Sequence, residues 1–140
     1  MGEVARAALS GGAEVTGFIP DFLHQREMPT AEFTTRLVVT DTMHERKSRM
    51  FDLSDAFIAL PGGIGTIEET VEILTWAQLS LHERPIGLVN VDGYWNPLLL
   101  LFSHATETGF AQSSIFDPLI VDATPVGVIR EIIRRLGRYS

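Results

Sequence analysis

Five short runs of β-branched and other apolar residues, separated by longer stretches with helical spacing, limit what this chain can fold into more than any other feature. Strands that read as near-continuous apolar runs are buried on both faces, as happens where crossover helices cover a parallel sheet. The runs lie at about 14 to 19 (EVTGFI), 35 to 40 (TRLVVT), 56 to 60 (AFIAL), 86 to 91 and 118 to 121. Helical patterns occupy about 3 to 10, 42 to 53, 66 to 81, 97 to 108 and 125 to 138, and Gly11, Gly109 and Gly137 are placed to end three of them. The expectation is a doubly wound α/β fold.

With 140 residues, 45% of them hydrophobic and 21% charged, the chain suits a single domain spanning 1–140, with no linker, internal repeat or low-complexity stretch. The expected mobile segment is DFLHQREMPTAE, residues 21 to 32, because of its charges and Pro29. No run approaches the ~20 apolar residues of a membrane span, and the amino-terminal residues lack the layout of a secretory signal. A cytoplasmic location without membrane contact is expected. The sequence has no cysteine, and His24, His44, His82 and His104 are too widely spaced for a local ligand pair, so no metal site is expected. A net charge of -7 argues against nucleic acid as a partner, since phosphate backbones are held by clustered Lys and Arg. A small molecule is the expected partner.

The most informative stretch is LPGGIGTIEE, residues 60 to 69, in which glycines stand between an apolar strand and a helix expected to begin at Thr66. Ligands of parallel α/β folds gather at the carboxyl ends of strands, where glycines let backbone N–H groups approach a phosphate and the helix dipole favours an anion. A tight turn requiring positive φ is an equally good reason for the glycines. The Walker lysine and the dinucleotide spacing are both missing, so the usual nucleotide fingerprints do not apply. Glu69 has a structural explanation as the partner of Thr66 in a capping box, Thr66-Ile67-Glu68-Glu69. Yet the same helix carries two apolar stripes, one of Ile67, Val71, Leu74 and Leu81 and another of Ile73 and Trp76, and Glu69 belongs to the second. A carboxylate on an apolar face is costly without a partner or a task. On the preceding helix, TMHERKSRMF, Met43 and Met50 mark an apolar stripe flanked by Arg46 and Lys47, which directs one of the two cations inward unless both snorkel to the surface. Lys47 is the only lysine, but no separate phosphate cup and pyridinium partner for pyridoxal phosphate can be identified. No cofactor is expected.

MHERK (43 to 47) followed by PGGIGTIEE (61 to 69) resembles the LOG family of cytokinin-activating phosphoribohydrolases, formerly labelled lysine decarboxylases. The resemblance continues through WAQLSLHERPIGLVNVDGYWNPLL (76 to 99) and Gly109-Phe110, and so covers nearly the whole chain. It implies a Rossmann-like homodimer that hydrolyses the N-glycosidic bond of a nucleoside 5′-monophosphate, AMP or an N6-modified AMP, to free base and ribose 5-phosphate. Transferred by motif, it makes Gly62, Gly63, Gly65 and Thr66 the cradle of the 5′-phosphate, Arg46 and Glu69 the catalytic pair, and Met43 and Lys47 further substrate contacts. Glycosidases place carboxylates beside an oxocarbenium-like transition state, and Glu69 would act on a ribosyl cation for the same electrostatic reason. DGYWN (92 to 96) reads mainly as turn and helix-start chemistry and is left outside the site. Family members begin with two further strands and a Gly-rich segment, so the resemblance also implies that the chain starting at Met1 is amino-terminally incomplete. The second functional reading is a nucleotide-binding or carrier protein that keeps the PGGIGT cradle without turnover.

Overall fold

The structure is a computed structural model that describes residues 2–24 and 34–137. Its elements follow the order α1 (Gly2–Ser10), β1 (Thr16–Pro20), α2 (Asp21–His24), β2 (Arg36–Thr40), α3 (Met43–Asp52), β3 (Phe57–Ala59), α4 (Ile64–Gln78), β4 (Ile86–Val89), α5 (Asn96–Glu107), β5 (Leu119–Asp122) and α6 (Pro125–Leu136). All strand pairs are parallel, in a two-stranded sheet β1-β2 and a three-stranded sheet β3-β4-β5. The fold is α/β and Rossmann-like, with parallel sheets and flanking helices. No helix among the described residues is long and apolar enough to cross a membrane. The residues group into two compact units, Met1–Ser54 and Asp55–Ser140.

In the second unit the alternation of a β-strand distributes side chains to two helical layers. Every residue of β4 is buried. Ile86 and Leu88 join Leu74 of α4, Trp95, Phe102 of α5, Ile115 and Leu119 in one apolar cluster. Val89 joins Ile120 of β5 and Val128 and Ile132 of α6 in another. Helix α6 approaches so closely that a Cβ on Gly87 would lie 2.3 Å from Val128 Cγ1. Arg135 Nη1 and Nη2 donate to the Asp117 and Leu119 carbonyls at 2.8 and 3.0 Å, tying α6 to the start of β5. Its neighbour Glu131 is held down to about pKa 2, chiefly by the hydrogen bond from Arg134.

In the first unit, β1 and β2 pair from Thr16 with Arg36 to Pro20 with Thr40. Helix α3 starts at a strong sequence signal. Thr42 is its N-cap, the Thr42 hydroxyl accepts the Glu45 N–H at 3.0 Å, and the Glu45 carboxylate accepts the Asp41 N–H at 2.9 Å.

All five expected strands and all five expected helices are present, and the differences lie at their ends. Helix α4 begins at Ile64 rather than Thr66 and stops at Gln78, which leaves Leu81 beyond the helix. Leu81 is 64% exposed and Val71 36%, so neither belongs to the buried stripe, which runs through Ile67, Thr70 and Leu74. The left-handed φ after α1 falls on Gly12, not Gly11, whereas Gly137 is the C-cap of α6 as expected, with an ordinary φ of -66°, and Gly109 follows α5 with a positive φ of 80°. Of the segment 21 to 32, Asp21–His24 forms α2, and 25 to 32 lie outside the described residues.

Gly87→Ala should destabilise the protein by about 1 to 3 kcal/mol through overpacking against Val128, seen as a lower urea midpoint with an unchanged slope. A midpoint equal to that of the unmodified protein would show that α6 does not rest on β4.

Candidate functional site at the carboxyl ends of β3 and β4

The PGGIG turn leaves the carboxyl end of β3, and the segment from Asn90 to Tyr94 leaves the carboxyl end of its parallel neighbour β4. Ligands of open parallel sheets lie outside the carboxyl ends of the strands, the end at which this turn stands. Gly63 is the N-cap of α4 and has no side chain to donate an oxygen, and no acidic residue stands in the first turn. Backbone closure begins only with the Ile67 N–H, which donates to the Gly63 carbonyl at 3.2 Å. The N–H groups of Ile64, Gly65 and Thr66 therefore have no carbonyl behind them in the helix, and no side chain among the described residues caps the positive end of this 15-residue dipole.

This geometry corrects two expectations. The capping box Thr66–Glu69 does not form, because the helix starts two residues earlier and Thr66 is already inside its first turn. A side-chain cap of related form occurs on α3, where the Thr42 hydroxyl accepts the Glu45 N–H and the Glu45 carboxylate accepts the N–H of Asp41, one residue before the cap. Nor do the glycines serve a positive-φ turn, since positive φ among glycines occurs at Gly12, Gly93 and Gly109. Gly62 is small for a packing reason: a Cβ there would sit 2.4 Å from Thr66 Oγ1 and 2.9 Å from Thr66 Cβ. Gly63 and Gly65 differ, because a Cβ on either would meet nothing within 4 Å. Their bareness answers to no neighbour among the described residues, and it leaves the helix end open to an approaching group.

Thr66 is held in the first turn, with its carbonyl accepting the hydroxyl of buried Thr70 at 2.7 Å. Glu69, half-buried, lies one turn further along α4. Ile73, assigned by the sequence pattern to the second stripe, packs against the same core as Ile67. Trp76 is half-buried.

Sequence reasoning missed Tyr94. The turn signal of DGYWN is real: Asp92 has φ 50° and Gly93 φ 73°, and Asn96 begins α5 with Pro97 in its first turn. But this turn also delivers the Tyr94 hydroxyl to the Gly62 carbonyl, which accepts its hydrogen bond. Asn90 braces the loop by accepting the Trp95 N–H at 2.7 Å and donating to Asn96 Oδ1 at 2.9 Å. An aromatic residue following a left-handed turn at the end of the next strand was the available signal.

The other group of motif residues lies on α3, in the first unit. One cation does turn inward: Arg46 Nε donates to the Phe18 carbonyl of β1 at 3.0 Å. Lys47 is half-buried, and Met43 is 37% exposed at the first position of the helix.

Comparison with known proteins accords with the motifs. The family model described as "Possible lysine decarboxylase" matches residues 1–132. The chain belongs to this family, which includes the LOG proteins. Among its relatives, "Probable cytokinin riboside 5'-monophosphate phosphoribohydrolase LOGL2" of Oryza sativa subsp. japonica is 45% identical over 140 residues, all of this chain and 55% of the relative. "Cytokinin riboside 5'-monophosphate phosphoribohydrolase LOG4" of Arabidopsis thaliana is 44% identical over 140 residues, again all of this chain and 63% of the relative. The LOG7 protein of the same plant and activity name is 45% identical over the full chain and 62% of its own length. The chain thus spans between 55% and 63% of these relatives.

Gly62→Ala should cost about 1 to 3 kcal/mol of stability by the clash with Thr66, and Thr66→Ala in the same protein should recover part of that loss. Additive losses in denaturant unfolding would show that the two residues do not touch.

Proposed function

We propose that this chain carries out phosphoribohydrolase chemistry: hydrolysis of the N-glycosidic bond of a nucleoside 5′-monophosphate, AMP or an N6-modified AMP of cytokinin type, to free base and ribose 5-phosphate. The observation that carries the reading is the open start of α4, where no described side chain caps the helix and a Cβ on Gly63 or Gly65 would meet nothing within 4 Å among the described residues. Backbone N–H groups at a helix start suit a phosphate monoester. The names of the relatives support nucleotide hydrolysis over amino-acid decarboxylation.

In this reading Gly62, Gly63, Gly65 and Thr66 hold the 5′-phosphate and fix the ribose by its charged end. Cleavage of the ribosyl bond then develops positive charge on the sugar ring. Glu69 stabilises that charge and takes a proton from the attacking water, while Arg46 orients the nucleotide, with Met43 and Lys47 as further substrate contacts. The same proposal has the chain as a single domain acting as a homodimer, in keeping with the exposed apolar residues Ile64 and Val71 on α4 and Leu79 at its end. No observation favours a carrier without turnover.

Incubation with matched nucleotides and nucleosides tests the handle: AMP should yield adenine and ribose 5-phosphate, and adenosine should hardly react. Equal turnover of the two would sink it. Glu69→Gln should still bind AMP but turn over at least ~100-fold more slowly, the range for loss of one electrostatic or acid–base group, and Arg46→Ala should behave likewise. Unchanged kcat in Glu69→Gln would remove Glu69 from the chemistry. Val71→Arg should shift the protein from dimer to monomer in light scattering, and an unchanged mass would place the subunit contact elsewhere.

A further inference from the structure

We propose that Tyr94 is a positioning residue for the anion cradle, acting through the Gly62 carbonyl; the proposal rests on the phosphate-binding reading of the α4 start. Tyr94 is 40% exposed, and its hydroxyl donates to the Gly62 carbonyl. The Gly62–Gly63 peptide is planar and trans, so its C=O and N–H point to opposite edges of one plane. Fixing the carbonyl therefore fixes the Gly63 N–H, the donor that precedes those of Ile64, Gly65 and Thr66. Without such a tether, two adjacent glycines leave this peptide free to rotate, since neither carries a Cβ to restrict it.

The tether is itself anchored. Trp95 is 1% exposed within the core cluster of β4, α4 and α5, and the Tyr94 ring meets the Trp95 ring edge-on at 5.0 Å and 90°. The consecutive positive φ values of Asp92 and Gly93 reverse the chain so that neighbouring aromatic residues can diverge, Trp95 into the core and Tyr94 towards the PGG turn. Asn90 holds the Trp95 N–H in place. Preorganisation of this kind lowers the ordering cost of binding an anion, and its loss appears as weaker binding of phosphate-bearing ligands rather than as slower chemistry.

The test compares the unmodified protein with Tyr94→Phe, which removes only the hydroxyl, by calorimetric titration with AMP, adenosine, ribose 5-phosphate and adenine and by steady-state kinetics. Tyr94→Phe should weaken AMP and ribose 5-phosphate by the same factor, about two- to tenfold for one hydrogen bond, raise KM correspondingly, and leave adenine affinity and kcat unchanged. Equal weakening of adenine would mark a general loss of structure and overturn the positioning role, as would ribose 5-phosphate affinity equal to that of the unmodified protein. Should the unmodified protein itself bind AMP no better than adenosine, the phosphate reading fails and Tyr94 falls with it. That failure shows before any variant is made, whereas failure of the Tyr94 proposal alone shows only in the variant.

Discussion

The second unit depends on the complete burial of β4, whose alternate side chains enter two separate apolar clusters. A strand wet on one face would need only a single helical layer. One buried on both must be covered twice, by α4 and α5 on one side and α6 on the other, and its backbone groups must be met by β3 and β5. Gly87 shows how tight the cover is, because the Val128 side chain takes the space of the missing Cβ. With its sides and faces occupied, β4 offers a ligand only its ends.

The carboxyl end is where unsatisfied backbone polarity collects. The chain leaves β3 through a proline and two glycines and enters α4 with no capping side chain. Uncapped N–H groups are left for water or a ligand to meet, and glycine at the N-cap position costs only about a few tenths of a kcal/mol relative to a residue with a side-chain acceptor. Helix α3 in the other unit, capped by Thr42 and Glu45, shows that this chain makes full caps. Helix α5 also starts without a side-chain cap, at Trp95, so what sets the α4 start apart is the pair of bare glycines, Gly63 and Gly65, beside it.

Much of the fold was legible. Five apolar runs and five helical patterns were placed within a few residues, because burial on both faces leaves a continuous signature and the two periods differ. Helix ends were less legible. Thr66-x-x-Glu69 matches a capping box as well as Thr42-x-x-Glu45 does, and nothing local separates them. The choice was made at α4 by Gly62 and Gly63, which let the helix start earlier, and by the close approach of Gly62 to Thr66. Similarly, Val71 and Leu81 fit an amphipathic stripe by spacing, but the sheet meets α4 along Ile67, Thr70 and Leu74.

By itself the sequence determined the class of fold, the position of the glycine turn after an apolar strand and the motifs that place the chain in its family. These are properties of periodicity, composition and short spacing, which neighbouring residues carry without help. Only the tertiary structure decided which glycines are bare for packing, as at Gly62 and Gly87, which helix keeps its cap and that Tyr94 reaches Gly62 across 32 residues of sequence. Those facts depend on how close two distant segments come, and van der Waals distances and hydrogen-bond reach are set by packing rather than by order along the chain.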